Sequence, residues 1–248
     1  MNDRPLYKHV VAGYEDNERG EDARVLAERI VERDGGVLKV VNVEKGSPAD
    51  TLQALAERGE ADLIVLGSTH RAHVGSVAPG SIAEHLLHGA RCRLIIAPKG
   101  YAAQDHSGDR LRVIAVGYDG MAESQAALDE AAKLAEKFKA SMKVIGVATP
   151  VPAMGAAAAA QTAPEAGADF QTRLKDAVDA LPRELRALPL LERGNPVDKL
   201  VDASEIGVDL LVLGSRGFGP VMRLLVGSVS SRVIRTAPCP VMVVPRPG

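Results

Sequence analysis

Short apolar runs bounded by turn residues alternate along this chain with longer stretches whose apolar positions recur every three or four residues. The alternation is most regular in the second half. Residues 112–118 (RVIAVGY) are an apolar run of strand length. Leu128, Ala131, Leu134, Ala135 and Phe138 then share one face of a helix. Residues 143–148 (KVIGVA) read as a second strand, followed by a long loop, and Phe170, Leu174, Val178 and Leu181 mark a second helix that Pro182 ends. Next come a strand at 185–191, a helix from about Pro196, a strand at 210–213, a helix from about Ser228 and a last strand at 240–244. Five strands alternating with four helices predict right-handed crossovers and a parallel sheet covered on both faces, an α/β fold.

The first half follows the same plan. Residues 9–13 are its opening strand, and Ala23, Leu26, Ala27, Ile30 and Val31 form a helical stripe. The repeat is also literal: Asp62-Leu-Ile-Val-Leu-Gly-Ser68 returns 147 residues later as Asp209-Leu-Leu-Val-Leu-Gly-Ser215. The same spacing carries Gly80-Ser81 onto Gly227-Ser228, Cys92 onto Cys239 and Pro98 onto Pro245. Near the start of each copy, Ala12-Gly13-Tyr14 matches Val116-Gly117-Tyr118 at a spacing of only 104. The first copy therefore lacks about 43 residues of its interior. Residues 37–43 (VLKVVNV) run directly into Glu44-Lys-Gly-Ser-Pro48, which matches Glu192-Arg-Gly-Asn-Pro196 after the third strand of the second copy. One strand-plus-helix unit is thus expected to be missing, leaving four strands. The polar stretch 100–109 reads as a linker, giving a shortened unit at 1–99 and a complete one at 110–248.

Composition narrows the function classes. Thirty basic residues against 32 acidic ones leave a net charge of −2, which argues against nucleic acid as a partner. Four Tyr, three Phe and no Trp give little for bases to stack on. The first residues lack the apolar stretch of a signal peptide, and the run at 153–160 is too short to cross a bilayer, so neither secretion nor membrane insertion is expected. Two cysteines cannot build a disulfide scaffold, and both are expected to be buried thiols in a cytoplasmic protein. His70 with His73 and His85 with His88 lack the further ligands of a metal site. The low-complexity stretch 149–167 reads as a loop beside the site described next.

The chemistry concentrates between the fourth strand and fourth helix of the second copy, in Gly214-Ser-Arg-Gly217, nine residues, then Gly227-Ser228. Gly214 ends a parallel strand at its carboxyl edge, where open α/β sheets bind ligands. Gly217 lets the backbone approach a ligand, and Gly227 and Ser228 open a helix whose free N–H groups suit a phosphate. The hydroxyls of Ser228 and Ser230 add hydrogen bonds. The competing reading is that these glycines only make tight turns and that Ser228 is an N-cap. Asp119, at the end of the first strand, reads equally as a site residue or an N-cap. Arg216 reads as a phosphate contact or as a solvated charge. Neither a G-x4-G-K-[ST] loop nor a G-x-S-x-G elbow occurs.

Repeat, strand order and the G-x2-G-x9-G-S motif together resemble the universal stress protein family in its tandem form. The resemblance covers nearly the whole chain. It implies two Rossmann-like domains, of the adenine nucleotide alpha hydrolase-like kind, with the first shortened. It further implies ATP, with Mg²⁺, bound by the second domain. Carried across residue by residue, Gly214 and Gly217 would border ribose and phosphates, and Gly227, Ser228, Val229 and Ser230 would cradle the phosphates. Asp119 would be the acidic residue beside the nucleotide, the backbone of Val147 would read adenine, and Tyr118 and Leu213 would wall the base. The first copy departs from the pattern: His70 replaces the second glycine and Glu15 stands for Asp119. The strand carrying the adenine-reading backbone is also missing there unless 37–43 takes its place. The first copy is therefore expected to bind nucleotide weakly or not at all. The resulting expectation is a nucleotide-dependent stress sensor or regulator that signals to an unidentified protein partner, with at most weak ATP hydrolysis. The alternatives are a nucleotide-independent interaction module and a slow ATPase. The copies are expected to form an internal pseudo-dimer, and the edge of the shortened copy offers a second chain a place to pair, as a homodimer.

Overall fold

The structure, a computed structural model, describes residues 4–42, 47–89, 92–104, 111–149, 169–215 and 229–245. In the first copy the elements run β1 (His9–Tyr14), α1 (Glu18–Asp34), β2 (Val37–Asn42), α2 (Pro48–Glu57), β3 (Leu63–Gly67), α3 (Ser81–Gly89) and β4 (Arg93–Ala97). In the second they run β5 (Val113–Tyr118), α4 (Ala122–Phe138), β6 (Ser141–Ala148), a helix α5 through 169–179, β7 (Leu188–Arg193), α6 (Pro196–Glu205), β8 (Leu210–Gly214), α7 (Val229–Val233) and β9 (Val241–Val244).

The nine described strands form one sheet in the order β2-β1-β3-β4-β9-β8-β5-β6-β7. Within each copy all pairs are parallel, as crossover helices require, and the copies join through β4 and β9, which run antiparallel. Ile95 faces Met242 at the centre of that join. These two residues are 147 apart in sequence, so they hold equivalent positions, and the join is a pseudo-twofold axis. Cys92 and Cys239 lie at opposite ends of it, both buried, and burial pushes each thiol up to about 12. At neutral pH they stay protonated and unreactive.

Alternate strand residues feed two cores. Val10, Ala12, Ile114 and Val116 point to the face covered by α1 and α4, and Val11, Ala115, Leu211 and Leu213 to the face covered by α2, α3, α6 and α7. The helical stripes read from the sequence are buried as expected: Leu26, Ala27 and Ile30 on α1, and Leu128, Ala131, Leu134 and Ala135 on α4, are all at most 2% exposed. α1 begins at an Asn17 cap that accepts the N–H groups of Arg19 and Gly20, and ends at Gly35 with φ 84°.

Two sequence expectations are refined. The third strand of the second copy starts at Leu188, three residues late, because Arg183–Leu185 form a 3-10 turn closed by Arg186 at φ 47°. Leu185 is buried by that turn, and an apolar residue reads the same in either setting. The missing unit of the first copy is the edge strand with its helix. β2 pairs with β1 in the register that β6 keeps with β5: Gly13 faces Val41 as Gly117 faces Ile145. Residues 37–42 thus take the place of the second strand, and nothing among the described residues of the first copy corresponds to α5 and β7. β2 becomes an edge, with Val37 and Val40 exposed around Lys39. No helix among the described residues is long and apolar enough to cross a membrane. The stretch 150–168 lies outside the described residues.

Candidate functional site

In the second copy, β5 and β8 are neighbours whose chains continue in opposite directions across the sheet, β5 to β6 and β8 to β9. A crevice must open between their carboxyl ends, and this is where ligands of open α/β sheets bind. Tyr118 and Asp119 leave β5 there, and Gly214 and Ser215 leave β8. The first turn of α4 presses against the end of β8 so closely that a Cβ on Gly214 would lie 2.4 Å from the carbonyl oxygen of Glu123. Ser230, in the first turn of α7, donates its hydroxyl to the Gly214 carbonyl at 3.1 Å. Ser215 N–H donates to the Val244 carbonyl at 2.9 Å. Residues 214 and 230 thus stand at one corner. Val229 opens α7, half-buried. Arg216, Gly217, Gly227 and Ser228 lie outside the described residues.

Asp119 is exposed at the mouth of the crevice. Its Oδ1 accepts the N–H of Met121 at 3.1 Å, and its own N–H donates to Ser124 Oγ at 3.3 Å. The carboxylate therefore shapes the turn into α4, whose N-cap position is held by Met121 and not by Asp119. Tyr118 is half-buried beside it. Burial raises its hydroxyl above the ordinary tyrosine value, Arg173 opposes this, and Asp119 and Asp129 add to it, so the hydroxyl remains a neutral donor at physiological pH. Gly146 faces Tyr118 across the β5–β6 pair, which places Val147 one residue beyond the paired end of β5 and opposite Glu192. Leu213 is 3% exposed and packs against Gly117. Its side chain belongs to the core beneath the crevice.

Sequence reasoning passed over Gly117 and Gly146. A Cβ on Gly117 would meet Leu213 at 2.9 Å, and one on Gly146 would meet Phe170 of α5 at 2.9 Å. Their signal was only the apolar run around each, since what they accommodate comes from other elements.

The equivalent crevice of the first copy lies between β1 and β3. It holds a cavity of about 230 Å³, lined by Glu15, Arg19, Gly67, His70 and the first turn of α3 among others. Gly67 repeats the role of Gly214, with the Arg19 carbonyl 2.1 Å from where its Cβ would be. Arg19 itself was missed, although the 104-residue spacing sets it against Glu123. Its guanidinium pairs with the Glu15 carboxylate, which also accepts Asn17 Nδ2 at 2.7 Å. His70 is exposed at the cavity and Ser68 is buried, donating to Ala97 and accepting the Ala78 N–H at 3.1 Å. The two crevices therefore share a backbone plan and differ in charge: an arginine–glutamate pair occupies the first copy where the second carries Asp119 and Glu123. No group of three or more potential metal ligands occurs among the described residues.

The chain and its fold have counterparts among known proteins. The model of the Universal stress protein family matches residues 3–98 and 110–245. A universal stress protein of Mycolicibacterium smegmatis (strain ATCC 700084 / mc(2)155) is 30% identical over 247 residues, covering 97% of this chain and 81% of that protein. Universal stress protein Rv2319c of Mycobacterium tuberculosis (strain ATCC 25618 / H37Rv) is 29% identical over 204 residues, covering 77% of this chain but only 66% of the relative's length. The crystal structure of a universal stress protein from Archaeoglobus fulgidus DSM 4304 shares the fold, with a TM-score of 0.64 at 18% identity over 98% of both chains. The family match spans both copies and every described strand, and on it the chain belongs to the universal stress protein family.

Proposed function

We propose that the second domain, 110–248, binds ATP as its Mg²⁺ complex in the β5–β8 crevice, and that occupancy alters a surface read by another protein. The observation that carries this reading is the corner at which Ser230 hydrogen-bonds Gly214. It brings the end of one strand and the first turn of a helix to the same crevice, with the glycines of the 214–228 motif in the chain between them. Tyr118 would flank the base, the backbone at Val147 would meet its edge, and N–H groups at the start of α7 would meet the phosphates. Magnesium supplies charge neutralisation for the phosphates and would arrive with them, since it usually keeps several waters and few protein ligands. Asp119 is the exposed carboxylate at the crevice that suits that role. The near-neutral chain needs no basic surface for this, because backbone dipoles hold the anion locally.

The first domain, 1–99, supports the second without a nucleotide of its own. Arg19 and Glu15 line its crevice as an ion pair, so a phosphate there would meet the Glu15 carboxylate and would have to compete with it for Arg19. A ligand shifts a protein only by binding two conformations unequally, so the signalling role requires such a pair of states in the second domain. Calorimetric titration of the full chain with Mg·ATP tests the reading. Binding is expected in the wild type and should be abolished by Gly227→Asp, whose side chain would set a negative charge in the phosphate cradle. Absence of heat at millimolar nucleotide, or full binding by that variant, would refute it.

A further inference from the structure

The two halves meet across the pseudo-twofold axis at Ile95 and Met242, yet the contacts on its two sides differ in kind. On one side Arg93 of β4 donates from Nε and Nη2 to the two carboxylate oxygens of Glu130 on α4, at 2.8 and 3.0 Å. The hydroxyl of Tyr7 donates to the same carboxylate at 2.7 Å. Glu130 is 4% exposed and Tyr7 1%, whereas Arg93 is half-buried, and Lys133 approaches the same carboxylate at 3.6 Å from its own helix. On the other side, the residues at the equivalent positions are Pro240, Leu26 and Leu111. Leu26 and Leu111 are buried and border a cavity of about 260 Å³ with Ile30 and Phe138. The opposite face of the sheet repeats the asymmetry: Arg235 of the second half donates to Glu84 of the first at 2.7 Å, whereas the equivalent residues are His88 and Ser231.

We infer that the Tyr7–Arg93–Glu130 trio selects the pairing of unlike halves, so that the β4 face of the first half fits a second half and rejects a copy of itself. Were two first halves to join through β4, Arg93 and Tyr7 of each would face Leu26 of the other, leaving the half-buried guanidinium and the buried hydroxyl without the carboxylate that accepts from both. Two second halves joined through β9 would bury each Glu130 against Leu111 and Pro240, exchanging the two hydrogen bonds from Arg93 and the one from Tyr7 for the longer contact to the exposed Lys133 alone. An uncompensated buried charge is strongly destabilising, and specificity arises from this rejection as much as from attraction. A join built this way keeps one complete and one shortened domain in every pair.

Charge exchange in the full chain tests the inference. Glu130→Lys sets a lysine beside Arg93, and Arg93→Glu sets a glutamate beside Glu130, so each alone should lower the urea midpoint. The two together in one chain recreate the ion pair in reverse, and the Tyr7 hydroxyl can accept as well as donate. The midpoint of that double variant should return toward the wild-type value. The two single variants, differently tagged and refolded together, should exchange halves. Native mass spectrometry should show mixed dimers exceeding like-tagged dimers by about tenfold or more. The inference is overturned if the double variant is no more stable than the weaker single one, or if mixed dimers show no excess. Should either single variant fail to fold alone, the double variant still decides: recovery of a native unfolding transition supports selection, and its absence overturns it.

Discussion

At Gly214 a side chain has nowhere to go, because the Glu123 carbonyl would stand 2.4 Å from its first carbon. The glycine that the sequence set at the carboxyl end of a strand, as a border of the ligand site, is demanded by helix-to-strand packing alone. Gly214→Ala should therefore cost about 2–3 kcal/mol in urea unfolding, since backbone on both sides must move. Gly146→Ala should cost only about 1 kcal/mol, because its neighbours are the ends of Phe170 and Leu174 side chains, which can turn aside. Asp22 offers a second case. Its buried carboxylate accepts the N–H groups of Gly100 and Ala102, at 2.9 and 2.8 Å, and so fixes the chain as it leaves β4. Asp22→Ala would leave both donors unpaired and should cost about 2–4 kcal/mol, and Asp22→Asn, which keeps an acceptor, clearly less. Neither pairing was legible in the sequence, since Asp22 and its partners are about 80 residues apart and share no pattern.

At the scale of elements, α4 ties its copy to the other through Glu130. Burial alone would raise that carboxyl, but hydrogen bonding and charge from Arg93, helped by Tyr7, outweigh it and hold the group below the ordinary glutamate value of 4.5. A carboxylate lowered by folding stabilises the protein above its unfolded value, and this contribution disappears as pH falls through the folded one. Acidification below pH 4.5 should thus lower the wild-type urea midpoint more steeply than that of Glu130→Gln, which has no proton to take up. Equal slopes would show that the trio contributes nothing to the acid response. Strands and helices themselves were largely legible, because apolar periodicity reports which face is buried. The extent of β7 was not, because Leu185 is buried in a turn and an apolar residue carries no mark of backbone shape. The identity of the missing unit was present in the spacing: residues 37–42 keep the 104-residue offset to 141–146, and the 147-residue offset begins only after them. The places of Asp119 and Gly214 at the ends of β5 and β8 were legible because strand ends announce themselves. Arg19 and Glu130 escaped because an isolated charge on a helix becomes informative only once its partner is known.

The whole molecule is one sheet with two crevices of the same plan and unlike chemistry. The first carries an Arg19–Glu15 pair, and the second carries Asp119 and the strand-end corner at Gly214 and Ser230. Loss of α5 and β7 from the first copy leaves β2 as an edge, guarded by Lys39 at its centre. On the proposed reading, one domain is support and the other a ligand site. The number of nucleotides bound per chain tests that division most directly. Equilibrium dialysis of the full chain against labelled ATP with Mg²⁺, carried to saturation, should yield one nucleotide per chain. A plateau at two would contradict the division between the domains, and a plateau at zero would contradict the nucleotide site itself.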